Sequence, residues 1–103
     1  MSQFDNVSVI REASVYFDGK VTSRKVVFAD GSTKTLGIML PGEYEFGAEK
    51  EELMEILSGR LDILLPNSDW QSIADPTSFE VPKNSSFKVK VHAITDYCCS
   101  YID

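Results

Sequence analysis

EELMEILSGRLDILL, residues 51–65, gives two conflicting local signals. Glu51, Glu52, Leu53, Met54 and Leu57 are good helix formers, and Leu53, Ile56 and Leu57 stand at i, i+3 and i+4. Gly59 then interrupts, and the run from Arg60 to Leu65 reads as a strand. A helix here would sit beside a sheet. A strand would make the chain all β. Strand spacing also sorts the segment differently, placing Glu52, Met54, Ile56 and Ser58 on one face and Leu53, Glu55 and Leu57 on the other.

The flanking sequence favours the strand. Val15 to Leu40 holds two extended runs divided by Asp30-Gly31, a dipeptide suited to a hairpin turn. Pro41-Gly42 breaks the chain before EYEFGAE, and Pro66-Asn67-Ser68-Asp69 forms a loop. Trp70 opens a short run to Ile73. FEVP closes at Pro82, and residues 83–86, KNSS, read as a turn. In FKVKV, residues 87–91, Phe87, Val89 and Val91 alternate with two lysines, whose face is expected to be solvated. The last run puts Tyr97, Cys99 and Tyr101 on one face. Many short strands with regular turns describe a β-sandwich or barrel. An isolated nine-residue helix is marginal, so residues 51–58 are expected to be strand, with Gly59 turning the chain into the next. The expected fold is a single all-β domain over residues 1–103, in which residues 1–15 form an arm or an edge strand.

Composition narrows the function classes. At 43% hydrophobic and 25% charged, the 103 residues suit one soluble globular domain. Ten Lys and Arg against sixteen Asp and Glu leave a net charge of −6, which argues against a nucleic-acid partner but not against a small anion in a local pocket. The N-terminus lacks a basic, apolar leader, and no run is long enough to span a membrane, so the cytoplasm is expected. Cys98 and Cys99 are neighbours that a strand would point to opposite faces, poorly placed to bridge and expected to be packing residues.

Two segments have the spacing of cupin motifs. Glu52 is followed after six residues by Gly59, and Pro82 opens a turn before Phe87. Phe87 stands where the second motif carries histidine, and the paired histidines of the first motif would fall near Phe46 and Ala48. His92, the sole histidine, lies on the lysine face, so no metal site and no cofactor are expected. From Tyr16 to Ile102 the chain resembles the small pyrimidine/purine nucleoside phosphorylases, a branch of the cupins. The resemblance rests on YFDGKV, GIMLPGEYEF, Glu52 and Met54, ILSGRLDILLP, Trp70, SFEVP, SSF and the Tyr97, Cys99, Tyr101 spacing. It implies a cupin jelly roll, a homodimer, and cleavage of purine and pyrimidine nucleosides by inorganic phosphate to free base and ribose 1-phosphate. The family often has an arginine where this chain has Ser100.

Phosphorolysis passes through an oxocarbenium-like state and needs no metal. Glu52 can oppose the positive charge on the ribose or, with its pKa raised by burial, protonate the base. Glu52 and Tyr44 are therefore the catalytic candidates. Phe46, Met54, Phe87, Tyr97 and Tyr101 are candidates for an aromatic wall that accepts any base. Lys20, Ser85 and Ser86 are the phosphate candidates, with Lys34 and Arg60 also of suitable type and the turn at 83–86 able to form an anion nest. A non-catalytic ligand-binding cupin and a dimer with a filled barrel are the competing readings. An open cavity would separate the first two readings from the third.

Overall fold

The computed structural model describes residues 2–102. Among them are nine strands: β1 (Ser8–Val9), β2 (Ser14–Tyr16), β3 (Val21–Val27), β4 (Thr33–Met39), β5 (Gly42–Ala48), β6 (Glu51–Leu64), β7 (Gln71–Ile73), β8 (Thr77–Val81) and β9 (Ser85–Ile102). The helical content of the described residues is one short 3-10 turn, Phe17–Gly19. The fold is the expected all-β cupin type. All strand pairs are antiparallel, and β9 is the spine. One edge of β9 pairs with β5 along its first half and with β4 along its second. The other edge pairs with β6. The strand order β1-β3-β4-β9-β6-β7 ends without β1 meeting β7, so the sheet curls without closing. One apolar cluster nevertheless joins Val21 of β3 to Ile73 of β7 and Val81 of β8. Curling brings these distant strands together, and full burial of each such side chain contributes about 1.5–3 kcal/mol.

Residues 51–58 are strand, as expected, but Gly59 does not turn the chain. The strand β6 runs unbroken from Glu51 to Leu64, and its pairing with β9 shifts register between Ile56 and Leu61. The inward residues change phase across this bulge. Met54 and Ile56 are buried before it, Leu61 and Ile63 after it. Gly59 has φ +119° and lies so close to β9 that a Cβ would sit 2.6 Å from Thr95 Cα and 2.8 Å from the Ile94 carbonyl oxygen. Glycine is required here because the bulge presses one backbone onto another.

Both β1 and β2 pair with β3, so two short stretches of the N-terminal segment, Ser8–Val9 and Ser14–Tyr16, are strand. The β3–β4 connection turns at Gly31, as expected, though over five residues. Asp30 Oδ1 accepts from the Ser32 amide at 2.9 Å and from its hydroxyl at 2.6 Å. Gly37 of β4 pairs with Tyr97 of β9, and a Cβ on Gly37 would fall 2.7 Å from the tyrosine ring. The missing side chain leaves Tyr97 room to lie against β4, which fixes one wall of the site. Among the described residues no helix is long and apolar enough to cross a membrane.

Candidate active site

The apolar core fills only part of the curled sheet. Beside it lies a cavity of about 290 Å³, close to the lower end of the usual range for small-molecule sites. Six of the predicted residues converge there: Glu52 and Met54 from β6, Phe46 from β5, and Phe87, Tyr97 and Tyr101 from β9. Strand alternation accounts for the grouping. Glu52 and Met54 share a face of β6, and Tyr97, Cys99 and Tyr101 share the facing side of β9. The Phe46 ring packs 5.5 Å from Phe87 and 5.6 Å from Phe17. These rings offer flat apolar surfaces to a planar ligand.

Glu52 is the carboxyl in this wall with a perturbed titration. Burial raises its pKa, and the Cys99 thiol, lying against it, partly offsets the shift by favouring the charged form. The same contact acts on the cysteine in the other direction. Burial first, then the Glu52 charge, pushes the Cys99 thiol up to about 12. Burial likewise pushes Tyr101 up to about 12, against the favourable effect of the Thr35 hydroxyl on its ionised form. The result is a half-buried acid, Glu52, beside neutral donors, with the exposed Glu45 also in the wall. The arrangement is able to hold a cationic group at the carboxylate and hydrogen-bond a neutral one beside it.

Other candidates lie elsewhere. Tyr44 is 6% exposed, and its hydroxyl donates to the Leu40 carbonyl oxygen at 2.6 Å. It packs behind the cavity, against Phe17 and Phe46. Lys20 follows the 3-10 turn and is exposed, away from the cavity lining. Ser85 and Ser86 belong to β9 rather than to a turn, and Ser85 Oγ donates to the Pro82 carbonyl oxygen at 2.6 Å. Ser86 borders a shallow depression near Leu64 and Asn67. The Lys34 ammonium lies over Phe4 and Phe28, and Arg60 is exposed at the bulge. Ser100 is on the face of β9 opposite Cys99 and Tyr101, so the side chain at this position does not point into the chain's own cavity.

Sequence reasoning missed several lining residues. Ser23 and Thr35 are buried hydroxyl residues, and the Ser23 side chain bonds to Tyr97. Their signal was present: alternation places Ser23 with Val21, and Thr35 with Met39, on the inward faces of β3 and β4. Phe17 is different. It reaches the cavity from a turn in which Phe17 has φ +51° and Asp18 φ +56°, conformations that side-chain pattern does not announce.

Of the cupin-motif ligand positions, the glutamate one is filled by Glu52 and the histidine ones are not filled by histidine. Phe87 stands at one histidine position and Phe46 and Ala48 lie near the other two, and none of these side chains offers a ligand atom. Among the described residues no group of three His, Cys, Asp or Glu converges. His92 instead pairs with Asp62 at 2.9 Å on the outer face.

Residues 11–101 match the family model described as pyrimidine/purine nucleoside phosphorylase. A relative of that name from Chlorobium chlorochromatii is 63% identical over 102 residues, covering 99% of each chain. A solved protein of unknown function from Acinetobacter superposes with a TM-score of 0.92 at 38% identity, covering 97% of this chain and 98% of that one. The cupin domain of Schizosaccharomyces pombe Cnp3 superposes with a TM-score of 0.64 at 14% identity, over 81% of this chain and 61% of that one, a likeness of fold.

Proposed function

Because the chain is an enzyme belonging to the pyrimidine/purine nucleoside phosphorylase family, we propose that it cleaves both nucleoside classes with inorganic phosphate and without a metal. The observation that carries this reading is the Glu52 carboxyl, half-buried in the wall of an aromatic-lined cavity. As the bond from C1′ to the base breaks, positive charge grows on the ribose. The Glu52 carboxylate, ionised, opposes that charge in a site where water screens it poorly. Phe46 and Phe87 face the base through ring surfaces that all bases satisfy, which supports broad specificity. Tyr44, with its hydroxyl spent on Leu40, holds Phe17 and Phe46 in place and touches no substrate.

The cavity argues against the filled-barrel alternative. Against a non-catalytic binding cupin stands the cost of keeping a carboxyl where burial disfavours its charge. The unbridged thiols of Cys98 and Cys99 fit a reducing cytoplasm. The test is phosphate-dependent release of base from a panel of purine and pyrimidine nucleosides, using EDTA-treated enzyme. Release from both classes, with ribose 1-phosphate as co-product, is expected. No release, or release dependent on an added divalent cation, overturns the reading.

A further inference from the structure

A second cavity of about 500 Å³ adjoins the first and shares with it Tyr16, Ser23, Thr35, Gly47, Glu52 and Tyr101. The two meet along these residues, and five strands report the same order from one to the other. On β6, Met54 belongs to the inner chamber and Glu52 to the junction. On β9, Tyr97 is inner and Tyr101 is at the junction. On β5, Phe46 is inner and Gly47 is at the junction. On β4, Met39 is inner, Thr35 is at the junction and Thr33 is outer. On β3, Ser23 is at the junction and Lys25 is outer.

The chemistry changes along this axis. The inner chamber is mostly aromatic and apolar, with the acid Glu45 in its wall. The outer one is polar, with Ser14, Thr33, Lys25 and Lys50 in its wall, together with the acid Glu49. Lys25 belongs to the inward set of β3, two and four residues beyond Ser23 and Val21, and pairs with Thr35 of β4. It is exposed because it stands at the mouth.

We propose that the outer chamber is the phosphate subsite, that Lys25 is its principal cation, and that the nucleoside binds with its base inward and its ribose at Glu52. This deepens the phosphorylase reading and rests on it. Displacement at C1′ places the entering and leaving groups on opposite sides of that carbon. A phosphate oxygen forms the bond to C1′ as the bond to the base nitrogen breaks, and the electron pair departs with the base. The proton carried by hydrogen phosphate balances the one the base takes up. The arrangement supplies this geometry, with an aromatic chamber on one side of Glu52 and, on the other, a polar one that carries Lys25 and Lys50 beside Glu49. A local positive group suffices for a small anion despite the net charge of −6.

The test is steady-state phosphorolysis with phosphate and nucleoside varied separately, in wild type, Lys25→Met, Lys25→Arg and Lys20→Met, alongside calorimetric titration of inorganic phosphate. Lys25→Met is expected to raise KM for phosphate by about tenfold or more, the scale of losing one charge-assisted hydrogen bond. The nucleoside KM should hold, Lys25→Arg should recover part of the loss, and Lys20→Met should resemble wild type. An unchanged phosphate KM in Lys25→Met, or an equal rise in both KM values, overturns the subsite. A wild-type enzyme that releases no base with phosphate instead overturns the phosphorylase reading. If Lys25→Met does not fold, the phosphate KM of Lys25→Arg decides: no change there, with no change in phosphate affinity by calorimetry, overturns the assignment.

Discussion

Glu52 works against folding when it is charged. Its pKa is raised by burial, so ionisation is disfavoured in the folded chain. A group of this kind adds stability below its unfolded value, near 4.5, and that contribution is lost as pH rises through the folded value. Glu52→Gln keeps the shape and removes the charge. We expect kcat to fall about a hundredfold, while the melting temperature at neutral pH holds or rises. If Glu52 must be ionised, the acid limb of kcat/KM lies above 4.5 in wild type, and the residual activity of the variant lacks it. Equal kcat for wild type and variant on both nucleoside classes would end the catalytic assignment. Tyr44→Phe should behave in the opposite way. It removes the hydroxyl that donates to Leu40, so stability should fall by about 1 kcal/mol with kcat near wild type. A large loss of kcat at unchanged stability would return Tyr44 to the catalytic set.

The strand β6 shows what an element's sequence discloses. The i, i+3, i+4 pattern of residues 51–58 points to a helix, and pairing with β8 and β9 overrides it. The even-numbered inward set, Glu52, Met54 and Ile56, was readable from alternation. The phase change at Gly59 was not, because a bulge and a turn both call for a glycine. The difference lies in what Gly59 touches, since Thr95 and Ile94 are 35 or more residues away in sequence. Gly59→Ala meets both a positive φ and an immovable backbone, so a loss of about 3 kcal/mol or more is expected by chemical denaturation. A loss below 1 kcal/mol would mean that the bulge relaxes. The aromatic wall was legible for the same reason as β6, through alternation along β9. The outer chamber was not. Its residues come from β2, β3, β4 and the β5–β6 turn, which only the curl of the sheet brings together. On the outer face, β7 is tied down by Asp62, which accepts from Ser72 at 2.9 Å and meets His92 at 2.9 Å. The His92 and Ser72 contacts hold the Asp62 carboxyl below 3.8, so its stabilisation is present above 3.8 and lost as pH falls through the depressed folded value. Asp62→Asn should lower the melting temperature at neutral pH, with the gap from wild type closing below pH 3.8. A gap independent of pH would deny the linkage.

At the scale of the whole molecule, the outer face of the sheet is unfinished. Leu36 and Ile38 of β4, Leu57 of β6, and Ile94 and Ile102 of β9 all expose apolar surface, Ile94 to 59%. Alternation places them on the side opposite the cavity. Within this face the Ser100 hydroxyl is buried without a hydrogen-bond partner. Buried polar groups are rarely left so, and a domain this small gains much by burying more apolar area. A second copy would cover the strip and offer Ser100 a partner, leaving each cavity inside its own chain. The expected outcome is a homodimer by light scattering at micromolar concentration, converted toward monomer by Leu36→Glu. That substitution puts a charge in the strip and leaves β4 able to pair with both neighbours. A dimer that survives Leu36→Glu would place the interface on another face. A monomeric wild type would show that the strip stays exposed and that a second copy does not supply the partner of Ser100.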